Sequence, residues 1–144
     1  MFDLNKTWQL DSRLEADTFP IMSYAECSFR LMNDSRWPWV IIVPQVAGAE
    51  ELHDLSKPQI DNALMMATQI GGKLKSYTGG NKINTAAIGN IVRQLHIHVV
   101  ARNEGDPNWP APIWGYGTAE KYSGAEGKVL AEKLKEEFRA SLFS

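Results

Sequence analysis

The segment QLHIHVV, residues 94–100, alternates polar and apolar side chains. In a β-strand successive side chains point to opposite faces of the sheet. One face would carry Leu95, Ile97 and Val99, and the other Gln94, His96 and His98. The pattern predicts a strand over residues 92–101 with three polar side chains in a row, at Cα spacings of about 6.6–7 Å.

Two imidazoles in such a row are suited to chemistry at phosphorus. A neutral imidazole, with an unperturbed pKa of about 6.5, is a good nucleophile near pH 7. We expect His96 to attack phosphorus and form a covalent intermediate. We expect His98 to hold phosphate oxygens or to give a proton to the leaving group. The turn Gly89-Asn90, just before the strand, can offer backbone N–H groups to the phosphate.

Two other interpretations of the histidine pair remain open on spacing alone. A His-x-His pair on a strand is also a recurrent pair of metal ligands. That site would need a third ligand, and no nearby Cys, Asp or Glu continues the row, so His53 or a distant carboxylate would have to complete it. The third interpretation is structural, with both histidines satisfied on an exposed face.

Patterns before this segment predict three further strands, one of them short. Residues 24–33 alternate, with Ala25, Cys27, Phe29 and Leu31 on one face and Glu26, Ser28 and Arg30 on the other. Asn33 ends the apolar face, where a polar side chain needs a partner. Residues 39–43 are apolar on both faces and predict an interior strand closed by Pro44. Residues 1–20 predict a short strand and turns.

The remaining chain predicts two helices and one more strand. Ser56 is a candidate N-cap for a helix that Gly79-Gly80 ends. Residues 82–88 predict a strand, and Ser123 with Glu126 matches a capping box before an amphipathic C-terminal helix. Strands in hairpin-sized pairs between helices predict an α+β fold, with a mainly antiparallel sheet of about five strands, one central helix and a C-terminal helix.

Composition narrows the class of protein. The chain has 144 residues, 44% of them apolar, and a net charge of −2. This balance argues against a broad nucleic-acid surface, which needs a basic stripe. The sequence has no apolar run long enough for a membrane span and no signal-peptide pattern, so we expect a cytoplasmic protein. The single cysteine, Cys27, allows no internal disulfide and is expected to be a buried, inert thiol.

Three segments resemble a known family. QLHIHVVAR, residues 94–102, resembles the signature strand of the histidine-triad (HIT) superfamily, His-φ-His-φ-His-φ-φ, where φ is apolar. Residues 29–56, FRLMNDSRWPWVIIVPQVAGAEELHDLS, are similar to the family's two early strands and the start of its helix. KINTAAIGN, residues 82–90, is similar to the strand and turn before the signature. The likeness is greatest to the nucleotide-hydrolase branch of bacterial proteins.

This resemblance implies a single HIT-like domain over residues 1–144, usually paired as a homodimer. It implies a hydrolase or transferase of nucleotidyl groups, acting on dinucleoside polyphosphates or nucleoside phosphoramidates, with no cofactor beyond a divalent metal that can accompany the substrate's phosphates. No nucleic acid or membrane partner is implied.

Residue roles follow from the resemblance, position by position. His96 matches the nucleophile, which carries the nucleotidyl group, and His98 matches the third triad histidine, which contacts phosphate. Asn33 matches a ribose-binding position and Asn84 a polar position near the phosphates. Gly89 and Asn90 match the phosphate-binding turn.

Two positions depart from the family pattern. Gln94 stands where the first triad histidine is expected, and an amide cannot titrate. Turnover could then be slower, and a nucleotide-binding protein with little catalysis is the alternative interpretation. Trp39 stands where several relatives carry a histidine and is expected to fill the sheet.

Trp109 and Trp114 lie in a loop expected to pack on itself or to face substrate or a dimer partner.

Overall fold

The computed structural model describes residues 7–142. Three helices and five strands form in this range, with a short 3₁₀ turn, Leu52–Asp54, before the second helix. The helices are α1 (Ser12–Ala16), α2 (Lys57–Thr78) and α3 (Gly124–Leu142). The strands are β1 (Thr18–Tyr24), β2 (Cys27–Met32), β3 (Trp39–Pro44), β4 (Lys82–Ala86) and β5 (Ile97–Arg102).

The strands form one antiparallel sheet in the order β1-β2-β3-β5-β4. Helices α2 and α3 cover one face of the sheet, where the main core lies. The strand side chains in that core include Phe29, Leu31, Val40, Ile42, Ile97 and Val99. The expected α+β fold is confirmed. Because α2 and α3 occupy one face, polar groups on β5 that point the other way are available for a site.

The hairpin between β1 and β2 corrects the strand predicted over residues 24–33. Ala25 and Glu26 have φ values of 50° and 58°, and they form a two-residue turn between paired Tyr24 and Cys27. The alternation therefore crosses a turn, and the strand proper begins at Cys27. The N-terminal prediction also changes, because residues 12–16 form α1 rather than a turn; residues 1–6 lie outside the described range.

Helix α2 follows the predicted signals closely. Ser56 accepts a hydrogen bond from the Gln59 N–H, and Gly79 ends the helix at φ 71°, a left-handed conformation that glycine adopts without a steric penalty. The strand predicted over 82–88 ends at Ala86, and the one predicted over 92–101 runs from Ile97 to Arg102. Gln94 and His96 therefore precede β5 instead of lying within it.

Within the described residues, no helix is long and apolar enough to cross a membrane.

Candidate functional site

His96 and His98 lie on the face of the sheet opposite α2, with ring centroids 4.7 Å apart. Both residues are buried, at 5% and 4% exposure, so the interpretation that placed them on an exposed face is wrong. Both line a cavity of about 480 Å³, which falls in the usual range for small-molecule sites of about 300–1,000 Å³. The predicted pairing of the two imidazoles is confirmed.

The tautomer of the His96 ring is set by a backbone contact. Its Nδ1 lies 2.7 Å from the carbonyl oxygen of Gln94. A carbonyl can only accept, so Nδ1 carries a proton and donates it, and in this tautomer the lone pair is on Nε2. Nε2 makes no hydrogen bond with any residue between 7 and 142. The ring therefore offers an unengaged nucleophilic nitrogen.

His98 has the opposite arrangement, because both of its ring nitrogens are engaged. Nε2 lies 3.1 Å from the Ile88 carbonyl oxygen and so donates to it, and Nδ1 accepts from the Trp39 indole N–H at 3.0 Å. Burial, followed by the neighbouring His96, lowers the pKa of His98 to about 4, although the bond to Ile88 acts against that shift. His98 is held neutral: its one proton is donated to Ile88, and Nδ1 cannot take up a second proton without breaking the contact with Trp39.

Trp39 was expected from the sequence to fill the sheet, but it also donates a hydrogen bond to His98 and lines the cavity. Its indole ring lies 5.7 Å from the His98 ring and 6.5 Å from that of Trp114, which is 5.4 Å from His98 in turn. Trp39 and Trp114 both line the cavity. The Trp114 indole N–H is buried and has no hydrogen-bond partner among the described residues.

The Gln94 side chain does not lie in a row with His96 and His98, as the sequence predicted, but contacts the N-terminal segment. Its side-chain Oε1 accepts from the Asp11 N–H at 2.8 Å, and its Nε2 donates to the Gln9 carbonyl at 2.8 Å. The expectation of three polar side chains aligned on one strand is thus wrong, because the chain at Gln94 has not yet entered β5.

The predicted phosphate-binding turn lies directly beside His96. A Cβ added to Gly89 would lie 2.8 Å from the Val92 carbonyl oxygen, so only glycine allows this close approach. Asn90 lines the large cavity, and both residues line a smaller one of about 320 Å³ that His96 also borders. The backbone N–H groups of residues 89–93 donate to no other described residue, which leaves them available to an anion.

Asn33 lies at the cavity, as expected, but half of its amide is already engaged. Its Oδ1 accepts from the Tyr122 N–H at 2.9 Å, so its Nδ2 is the group that can donate to a ligand.

Next to Asn33 is an ion pair that sequence reasoning missed. Asp34 accepts from Arg36 Nε and Nη2 at 3.0 and 2.8 Å, and both residues line the cavity. Only the short Asp-Ser-Arg spacing within the turn could have indicated this pair.

Asn84 does not line the cavity. Its Oδ1 accepts from Arg102 Nη1 at 3.1 Å, and Arg102, fully buried, also makes two bonds to the Asp106 carboxylate at 2.9 and 2.8 Å. These contacts fasten the loop after β5, with the Trp109 ring 5.4 Å from the Arg102 guanidinium. Trp109 thus packs within the loop, whereas Trp114 faces the cavity.

The metal interpretation finds no third ligand. In the part of the chain that the structure describes, no group of three or more His, Cys, Asp or Glu side chains is placed to hold a metal ion. His53 lies in the 3₁₀ turn before α2, with its side chain 84% exposed.

An open antiparallel sheet of five strands, with two helices on one face and a pair of histidines on the other, defines a class of α+β proteins. The HIT domain matches residues 13–105. A histidine triad protein from Sinorhizobium meliloti is 47% identical, with 91% of this chain and 97% of that chain covered and a TM-score of 0.87. The chain belongs to the HIT family.

Two further solved structures agree with this assignment. A histidine triad protein from Marinobacter aquaeolei is 37% identical, covering 96% of this chain and 98% of that chain, with a TM-score of 0.87. One from Bradyrhizobium japonicum is 32% identical, covering 94% and 98%, with a TM-score of 0.85. None of the curated proteins matches the chain.

The burial of His98 predicts how it titrates. Its pKa of about 4 in the folded chain is below the value of about 6.5 expected when unfolded, so the unfolded chain binds more protons between these values. As pH falls through this window, His98 should lower the free energy of unfolding by up to about 1.4 kcal/mol per pH unit. In ¹⁵N NMR, the wild-type ring should stay neutral, with its proton on Nε2, down to pH 5.

The Trp39→Phe variant is the matched comparison. It keeps an aromatic ring but removes the indole N–H that faces His98 Nδ1. His98 should therefore titrate at a higher pH than in the wild type, because Nδ1 is then free to accept a proton. A wild-type His98 signal that changes between pH 7 and 6 would contradict the assignment.

Proposed function

We propose that this chain is a nucleotidyl hydrolase or transferase that acts on the α-phosphate of a nucleotide through a covalent intermediate on His96. The observation that carries the proposal is the unengaged Nε2 of His96, held beside a cavity of nucleotide size by the Nδ1–H bond to the Gln94 carbonyl. The resemblance of QLHIHVVAR to the HIT signature and the family membership support it.

In this mechanism the Nε2 lone pair attacks the α-phosphorus and forms an N–P bond, while the bond from phosphorus to the leaving group breaks and its electron pair departs with that group. The Gln94 carbonyl keeps its hydrogen bond to Nδ1–H and stabilises the positive charge on the substituted ring. Water then attacks phosphorus, the N–P bond breaks, and the electron pair returns to Nε2. The nucleoside monophosphate leaves, and the proton lost by water goes to solvent.

Phosphate and ribose have separate donors in the proposed complex. The free N–H groups of residues 89–93 would bind the α-phosphate oxygens, and Nδ2 of Asn33 would bind a ribose hydroxyl. Arg13 and Lys121 line the cavity at exposed positions, where they can balance the charge of further phosphates.

The surroundings of His96 favour a leaving group that departs as an anion. Neither His98, with both nitrogens engaged, nor the Gln94 amide, bonded to backbone, is placed to supply a proton. A terminal phosphate, whose second pKa is about 6, leaves without one. An alkylamine, with a pKa of about 10 for its conjugate acid, requires protonation first. The resemblance implies that Gln94 replaces the first histidine of the triad, and an amide in that position strengthens this preference because it cannot titrate.

The His96→Ala variant tests the nucleophile. With diadenosine tetraphosphate as substrate, kcat should fall by at least about 10³-fold, because the covalent route is removed. Mass spectrometry of wild-type enzyme quenched during turnover should find a nucleotidyl group on His96. The control is His53→Ala, since His53 is exposed and outside the cavity, and it should retain full activity. Full turnover by His96→Ala would refute the proposal, and nucleotide binding without turnover in the wild type would leave only a binding function.

A pair of adenosine substrates tests the leaving-group preference. The kcat/KM for diadenosine tetraphosphate should exceed that for an adenosine 5′-phosphoramidate of an alkylamine by about 10²-fold or more, since general-acid assistance is worth about 10²–10⁴-fold. The phosphoramidate should still compete for the site with an inhibition constant close to its KM. Equal kcat/KM values for the two substrates would show that a proton donor has been overlooked.

A further inference from the structure

Gln94 joins two parts of the chain that are more than 80 positions apart. Its side-chain Oε1 accepts from the Asp11 N–H, and its Nε2 donates to the Gln9 carbonyl, each at 2.8 Å. A primary amide has a donor and an acceptor side by side, so it can pair with a backbone donor and acceptor as a neighbouring strand would. The segment at Gln9–Asp11 is thus hydrogen-bonded to the chain just ahead of β5.

This segment leads directly into α1. Residues 12–17, which are α1 and its C-cap, form one wall of the nucleotide cavity, called here the N-terminal wall. Asp11 is the N-cap of α1, and its carboxylate accepts from the Arg13 N–H at 2.8 Å. Four residues of the wall line the cavity: Arg13, Leu14, Ala16 and Asp17. Any movement of the segment would therefore change the shape of the cavity.

Helix α1 cannot hold this position by itself. It has five residues, whereas isolated helices shorter than about 12–15 residues are marginal in water. Leu14 is buried against Ile41 and Val43, and the Asn33 N–H donates to the Asp17 carbonyl at 3.0 Å. These contacts fasten the middle and the C-terminal end of the wall. The N-terminal end packs through Trp8 and Leu10 against the same apolar cluster, and its backbone is hydrogen-bonded by the Gln94 amide.

The position of His96 does not depend on the same amide. The peptide unit between Gln94 and Leu95 is held by its N–H, which donates to the Ala49 carbonyl at 2.9 Å, and Leu95 is buried. The carbonyl of that peptide unit accepts from His96 Nδ1. A change confined to the Gln94 side chain should therefore leave the nucleophile in place.

We propose that Gln94 is a positioning residue, whose side-chain amide holds the N-terminal wall in place and so determines how tightly nucleotide is bound, without taking part in the chemistry at phosphorus. This inference rests on the proposed function of the same cavity. It separates two effects that a substitution at position 94 could have. A residue acting in chemistry would change kcat, whereas a residue that holds the wall changes KM and the dissociation constant of a bound nucleotide.

The test compares Gln94→Met with the wild type and with a matched control. Methionine has a similar length but lacks both hydrogen-bonding groups, so AMP should bind about 10-fold more weakly, and KM for diadenosine tetraphosphate should rise by a similar factor. The kcat should stay within about twofold of the wild type. In hydrogen exchange, amides of residues 9–16 should lose protection. The control is Gln45→Met, since the Gln45 side chain bonds, among the described residues, only the exposed Ser23 hydroxyl outside the cavity, and this variant should leave all four readouts unchanged.

Two further variants keep the test decisive. Gln94→Glu has nearly the same shape and keeps the acceptor for the Asp11 N–H but loses the donor, so AMP should bind about 3-fold more weakly. Gln94→His should weaken AMP binding without raising kcat, whereas a gain in kcat would mean that a proton donor is needed at this position.

The outcomes distinguish this inference from the proposed function. A wild-type protein that binds no AMP would overturn both. If wild type binds AMP but the Met and Glu variants bind it equally well, or if exchange at residues 9–16 is unaltered in them, the positioning inference is wrong and the proposed function stands. A fall in kcat with unchanged AMP affinity would likewise place Gln94 in the chemistry instead.

Discussion

The peptide unit between Gln94 and Leu95 is hydrogen-bonded on both sides, and the site depends on it. Its N–H donates to the Ala49 carbonyl, which fixes the plane of the peptide, and its carbonyl accepts from Nδ1 of His96. A fixed acceptor decides which ring nitrogen carries the proton, and hence which carries the lone pair. Because Leu95 is buried just before β5 begins, the core of the sheet holds this acceptor beside the ring.

The two histidines have different properties although they lie 4.7 Å apart. His96 has one nitrogen bound to backbone and one unengaged, whereas His98 is bound at both, to Ile88 and to Trp39. Burial keeps the pKa of His98 well below that of a free imidazole, so this ring adds no positive charge beside its neighbour. In the proposed reaction the His98 ring packs against the nucleophile, and the charge of the phosphates is balanced by backbone N–H groups and by Arg13 and Lys121.

Much of the fold could be predicted from the sequence, because burial and capping leave local patterns. The caps at Ser56 and Gly79 and the apolar strand from Trp39 are examples. The hairpin at Ala25-Glu26 could not, because turns with two positive φ values usually contain Asn or Gly, and alternation continues through this one unbroken. Local patterns also carry no information on long-range partners. The sequence therefore paired the two histidines but missed the bond from Trp39 to His98, the pair of Asp34 with Arg36 and the attachment of Gln94 to the N-terminal segment.

The most direct test of this account is the identity of the nitrogen that bonds to phosphorus. Protein labelled with ¹⁵N-histidine would be mixed with diadenosine tetraphosphate and quenched in alkali, and the phosphorus–nitrogen coupling in the His96 adduct would be assigned by NMR. We predict phosphorus on Nε2, because Nδ1 is held as a donor to the Gln94 carbonyl. An adduct on Nδ1 of His96, or on any other residue, would contradict the account.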